Sequence, residues 1–163
     1  MLYCLLLVFM VFIVLVDQVV KAVVSAYLPL GAVIPAIPGI FHWTHFHNTG
    51  AAFSMLQGGR WLFAAVCLIG LAVTVVLVWK KVLTNRVELW CLAAIFGGGI
   101  GNLIDRLRLG YVVDMIEVEF MNFAVFNIAD AFISCGAVAL VVYVLFFDRE
   151  KKPKEETVHD PEA

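Results

Sequence analysis

Residues 89–106 read LWCLAAIFGGGIGNLIDR, with no charged side chain until Asp105 and Arg106 close the stretch. A helix on the surface of a soluble domain alternates an apolar stripe with a polar one. This stretch has no polar stripe over four turns, so its whole circumference has to be kept from water. Three other runs share the property, at 1–16, 61–79 and 131–147. With a few flanking residues each reaches the length of about 20 apolar residues that crosses ~30 Å of hydrocarbon. The composition agrees: of 163 residues 63% are hydrophobic and 15% charged, with a mean hydropathy of +0.99, too little charge to cover a water-soluble core. The expected fold class is an all-α integral membrane protein of four transmembrane helices. Residues 1–147 form the membrane domain and 148–163 a charged tail.

The net charge of −2, with eleven dispersed Lys and Arg, excludes nucleic acid as a partner, because phosphate neutralisation needs a clustered basic face. Cys4, Cys67, Cys91 and Cys135 all fall inside apolar runs, where cysteine serves as a small hydrophobe, so neither a disulfide nor a cysteine metal site is expected. The first run has no basic leader and no small-residue cleavage motif before Asp17, and it reads as a retained helix. Four spans place both ends and the connection between spans two and three on one side, together with Lys80, Lys81, Arg86, Arg149, Lys151, Lys152 and Lys154. Lys21, Arg60, Arg106 and Arg108 fall on the other, which makes the first side cytoplasmic. The proline-containing charged tail is expected to fray there.

Two longer connections, at about 22–60 and 106–126, then face outward. Residues 22–59 carry no Asp, Glu, Lys or Arg, while Pro29, Pro35 and Pro38 forbid a continuous helix. Ile40 to Asn48 is rich in aromatics and suits a strand, so a small sheet over about 28–58 is expected on the outer leaflet. His42, His45 and His47 invite a metal reading. On a strand, however, His42 points away from the other two, with no acidic residue or cysteine close in sequence, and interfacial packing is the expected role.

Ionisable groups at membrane depth carry the functional information, since a carboxylate at the bilayer centre costs on the order of 3 kcal/mol. Asp17 and Lys21 stand at i and i+4 and can pair. In span three Gly98, Asn102 and Asp105 share a stripe, small and then polar; the glycines suit close helix packing, and Arg106 is the expected counter-ion of Asp105. Asp114 ends a short apolar run without an adjacent base, and Asp130 lies about one turn into span four with Asn127 and Ser134 on its face. Two carboxylates brought together in a partly dry site share one proton, which is the outline of an aspartyl hydrolase. A proton-coupled carrier also keeps buried carboxylates, and a glycine-packed scaffold needs none for chemistry. The residues alone leave these three readings open.

Five ordered motifs resemble one family. They are Asp17-Gln18-x-x-Lys21, Asn48-Thr49-Gly50-Ala51-Ala52-Phe53, Gly101-Asn102-x-x-Asp105-Arg106, Gly110-Tyr111-Val112-Val113-Asp114 and Phe126-Asn127-x-Ala129-Asp130. In this order they are similar to the lipoprotein signal peptidases, signal peptidase II. The resemblance implies a four-helix inner-membrane aspartyl endopeptidase with a periplasmic sheet, cutting diacylglyceryl-modified prolipoproteins just before the lipid-bearing cysteine. It implies a catalytic pair at Asp114 and Asp130, with Asp17, Lys21, Asn48, Gly50, Asn102, Asp105, Arg106 and Asn127 shaping the site. No metal or other cofactor is expected; contact with membrane lipid and a monomer are expected, with both termini cytoplasmic and the site near the periplasmic face. Glu117 and Glu119 are expected on a solvated loop.

Overall fold

The four runs are helices in the computed structural model, which describes residues 1–50 and 60–147. α1 spans Leu2–Tyr27, α2 Arg60–Trp79, α3 Arg86–Arg108 and α4 Ile128–Phe146, and all four are long and apolar enough to cross a membrane. Leu7 and Leu15 of α1, Val66 and Ile69 of α2 and Val138 and Leu145 of α4 are among many large apolar side chains left exposed. Helices greasy around their full circumference require lipid as their solvent.

The central helix is α3, against which α4, α1 and α2 all pack. Its glycines explain why. A Cβ on Gly98 would collide with the carbonyl oxygen of Ala129 in α4, and one on Gly136 of α4 would come within 2.9 Å of the Cys91 carbonyl oxygen. The two helices therefore meet backbone to backbone, as small residues permit. Asn85 caps α3 by accepting the Val87 amide at 2.8 Å, and its side-chain amide donates to the Tyr143 hydroxyl near the end of α4.

α1 does not stop where its charge-free run does. It continues through Asp17 and Lys21 to Tyr27, because those two side chains neutralise each other at 2.8 Å inside the bundle, 0% and 3% exposed.

Above the helices lies an antiparallel three-stranded sheet in the order β1-β2-β3, formed by Val33–Ile37, Phe41–Asn48 and Val112–Val118. Pro35 sits on the edge strand, where its missing N–H breaks no ladder. The first two strands fall within the expected sheet. The third comes from the second connection, between α3 and α4, and pairs Trp43 with Ile116, Phe46 with Asp114 and Asn48 with Val112 around a bulge. Val113 and Met115 anchor it on Val24 of α1, with Trp43, Leu28 and Tyr111 packed around them. Phe126 is hydrogen-bonded back onto Ile116, so the approach to α4 is tied to β3.

The histidines separate as their strand positions require, but His42 has acidic company. Its Nε2 lies 2.7 Å from Glu117 and its Nδ1 3.2 Å from Glu119. Glu117 is thus a strand residue of β3 and not a loop residue, whereas Glu119 is exposed in the connection just beyond the strand, as expected, and also meets the histidine. His45 donates Nδ1–H to the Leu28 carbonyl at 2.8 Å, and His47 stacks on Tyr111. The expectations for Phe53 and for the tail 148–163 lie outside the described residues.

Candidate active site

Asp114 stands on β3, 1% exposed, and both of its oxygens are occupied by amides. Asn48 of β2 donates to Oδ2 at 2.9 Å, and Asn127 donates to Oδ1 at 2.6 Å. Burial raises the Asp114 carboxyl from the usual carboxylate range to about 7. The Asn48 hydrogen bond opposes that rise, and the nearby Asp130 charge adds to it.

Asp130 is delivered by a different device. Asn127 is the N-cap of α4: its side-chain oxygen accepts the Asp130 amide at 3.0 Å, while Asp130 Oδ2 accepts the Asn127 amide at 3.3 Å. This reciprocal box fixes the carboxylate in the first helical turn. Asn102 of α3 then donates to Asp130 Oδ1 at 2.7 Å. Asn127 also donates to the Asn102 side-chain oxygen at 3.1 Å, so one fully buried asparagine touches Asp114, Asn102 and the Asp130 box together. Among the described residues neither Asp114 nor Asp130 is in an ion pair, and no cluster of three His, Cys, Asp or Glu is placed to hold a metal ion.

Both carboxylates line a cavity of about 420 Å³, with Asn48, Asn102, Arg106 and Phe126 among its walls. A second cavity, about 430 Å³ and walled mostly by apolar residues of α2 and α3 such as Phe63, Val66 and Phe96, shares Asn102, Arg106, Asp130 and Ile133 with it. Asp130 thus stands where two spaces meet.

Beneath this layer lie the remaining residues expected at the site. Lys21 is salt-bridged to Asp17 at 2.8 Å and to Asp105 at 3.0 Å. Here the expected pairing of Asp105 with Arg106 is corrected: successive helix residues diverge by about 100°, and Asp105 turns inward to Lys21. Arg106 instead donates to the Gly50 carbonyl at 2.9 Å and the Asn102 carbonyl at 3.3 Å, with its guanidinium 4.5 Å from the centre of the Phe63 ring. Gly50 also donates its amide to the Asn48 side-chain oxygen at 2.9 Å.

All ten residues singled out in the sequence therefore fall in one contiguous network. One further member stands in the first motif but carries no expected role. Gln18 donates to Asp105 Oδ1 at 2.9 Å and to the Gly101 carbonyl at 3.2 Å, joining α1 to α3. Its position between Asp17 and Lys21, three residues before the lysine on the same face, was the available signal.

The family model described as signal peptidase (SPase) II matches residues 9–146. A lipoprotein signal peptidase of Lactiplantibacillus plantarum is 38% identical over 146 residues, covering 90% of this chain and 97% of its own. One from Streptococcus pyogenes is 40% identical over 133 residues, 82% and 88% of the two chains. A bacterial membrane enzyme solved by the in meso method at 2.3 Å superposes with a TM-score of 0.83 at 31% identity, covering 92% of this chain and 93% of that one. With the match running from α1 to the end of α4 and the same fold in the solved relative, the chain belongs to the signal peptidase II family.

Proposed function

We propose that this protein is an intramembrane aspartyl endopeptidase that removes the signal peptide from diacylglyceryl-modified prolipoproteins, cutting before the lipid-bearing cysteine, with Asp114 and Asp130 as its catalytic pair. The observation carrying this reading is that the two carboxylates line one cavity and are linked through a single residue, Asn127.

In the proposed reaction the two carboxylates at one cavity share one proton. The ionised carboxylate takes a proton from a water molecule as that oxygen attacks the scissile carbonyl carbon. The protonated carboxyl donates a hydrogen bond to the carbonyl oxygen as it becomes an oxyanion. When the C–N bond breaks, a carboxyl proton passes to the departing amine, leaving a new carboxylic acid and a free amino group. No prosthetic group takes part in these steps.

Asn48, Asn102 and Asn127 spend their donors on the carboxylates and keep them facing the cavity. Gly50, Asp17, Lys21, Asp105 and Arg106 hold that layer in place. The two apolar-walled spaces meeting at Asp130 suit a substrate whose acyl chains and signal helix remain in lipid while the peptide bond reaches the acids. The enzyme acts in the bacterial inner membrane as a monomeric domain of residues 1–147 with a cytoplasmic tail. The distribution of Lys and Arg supports cytoplasmic termini and a periplasmic site.

The test is cleavage by the purified protein in lipid, read by mass, of one prolipoprotein peptide with and without its diacylglyceryl group. The expected result is cleavage of the acylated form only, unaffected by a chelator, and abolished in Asp114→Asn and in Asp130→Asn variants that remain folded. Cleavage by either variant would remove that residue from the pair.

A further inference from the structure

An ammonium group has three hydrogens to give, and Lys21 gives each to a different chain of contacts. Its Nζ lies 2.8 Å from Asp17 Oδ2, 3.0 Å from Asp105 Oδ2 and 2.9 Å from Asn102 Oδ1. Each acceptor is one step from the pair. Asp17 uses its other oxygen to accept the amide of Ala129, the residue before Asp130, at 3.0 Å. Asp105 Oδ2 accepts the amide of Val113, the residue before Asp114, at 3.2 Å. Asn102, its oxygen held by Lys21 and Asn127, has its amide left to donate to Asp130 Oδ1 at 2.7 Å.

The residue preceding each aspartate is thus fastened to a carboxylate, and both carboxylates are fastened to one cation on a third element, α1. We propose that Lys21 is a positioning residue that sets the placement of Asp114 relative to Asp130. It lines neither cavity, so it acts through Asp17, Asp105 and Asn102 and not on the substrate. This inference rests on Asp114 and Asp130 being the catalytic pair.

Removing the cation does more than break three bonds. Asp17 and Asp105, both bonded to Gln18, would face each other as buried like charges with no cation between them. Their repulsion moves one or both carboxylates, so the amide of Ala129 or of Val113 loses its anchor. The charges facing this layer are Asp17 and Lys21 from α1, Asp105 and Arg106 from α3, Asp114 from β3 and Asp130 from α4. Among them Lys21 favours the ionised form of Asp114, so its loss moves the acidic limb of the rate profile to higher pH.

The experiment measures kcat, KM and the pH profile on the diacylated peptide for wild type, Lys21→Met and Lys21→Arg, with Asp114→Asn as the inactive reference. The expected result for Lys21→Met is a kcat lowered about 100-fold, the scale of a 1 Å misplacement. KM should stay within about threefold, and the acidic limb should move upward. Lys21→Arg keeps the charge but not the compact three-way geometry, so kcat falls while the limb stays. If Lys21→Met is not recovered folded, Lys21→Arg alone decides: reduced kcat at unchanged KM supports positioning, and wild-type kcat overturns it. A Lys21→Met enzyme with wild-type kcat, or with its loss confined to KM, overturns it as well. An active Asp114→Asn reference would instead defeat the assignment of the pair, a separate failure.

Discussion

Asn127 donates its side-chain amide to Asp114 across 2.6 Å while its side-chain oxygen caps the first turn of α4, so the residue that starts the helix also grips a carboxylate on the neighbouring strand. Helix capping and site geometry are therefore one interaction. Substituting Asn127 by Ala removes a cap worth about 1 kcal/mol and a bond to an acid group worth about 1.5–3 kcal/mol. Asn127→Ser keeps a capping oxygen but is too short to reach Asp114. The serine variant is expected to recover most of the thermal stability lost in the alanine variant, while both lose about 100-fold in kcat. Equal activity of Asn127→Ser and wild type would show that the contact with Asp114 has no role in the reaction.

The raised carboxyl of Asp114, at about 7, has a signed effect on stability. Its folded value lies above the unfolded value of about 3.9, so the native state binds the extra proton between those limits. The contribution is fully present below about 4 and is lost as pH rises through 7. Asp114→Asn removes the ionisation. Its melting temperature is expected to exceed that of wild type at pH 8, and the difference should shrink toward pH 5. Parallel melting curves for the two proteins across that range would show that the carboxyl titrates normally.

Gly101 faces Asp17 so closely that a Cβ would stand 2.7 Å from Asp17 Oδ2, the oxygen bonded to Lys21. Gly101→Ala is expected to cost about 1–3 kcal/mol, as overpacked sites do, and to lower kcat about tenfold by moving Asp17 away from the Ala129 amide. Gly99→Ala is the comparison, because its Cβ meets only the Cys67 thiol at 3.2 Å. It should cost less than about 1 kcal/mol and leave kcat within twofold. Thermal melts and rates of the two variants side by side test the difference.

His42, bound by Glu117 and Glu119, is held above the usual histidine range, chiefly by its bond to Glu117. A raised cation stabilises the sheet at low pH, and this contribution is lost as pH rises through the shifted value. Hydrogen exchange of the β2 and β3 amides should therefore quicken with pH beyond the intrinsic rate in wild type but not in His42→Gln, with kcat of the variant within twofold. An identical pH response in both proteins would show that the histidine carries no such charge.

Much of this architecture was legible in the sequence because it depends on local properties. A charge-free run is apparent from composition alone, and all four runs are helices. The stripe of Gly98, Asn102 and Asp105 likewise followed from helical spacing, and each meets a neighbour across α3. What could not be read depends on partners distant in sequence. β3 pairs with β2 across the whole of α2 and α3, and its acids Asp114 and Glu117, three residues apart, break the alternation that marks a strand. Asp105 was assigned to the adjacent Arg106, although its cation lies on α1. Gln18, present in the first motif, has no role legible in sequence because the worth of an amide depends on acceptors that lie on α3.

The hydrogen bonds from Phe126 back to Ile116 have a mechanical consequence. Residues 114 and 130 sit on two arms of a single clasp, riveted between them and again at Asn127. In the proposed reaction such a clasp is expected to keep its shape, so that peptides of different girth fit against the greasy walls around it. Sequence drift among substrates would then be absorbed at Phe123, Val125 and Ile133, leaving the jaws unaltered.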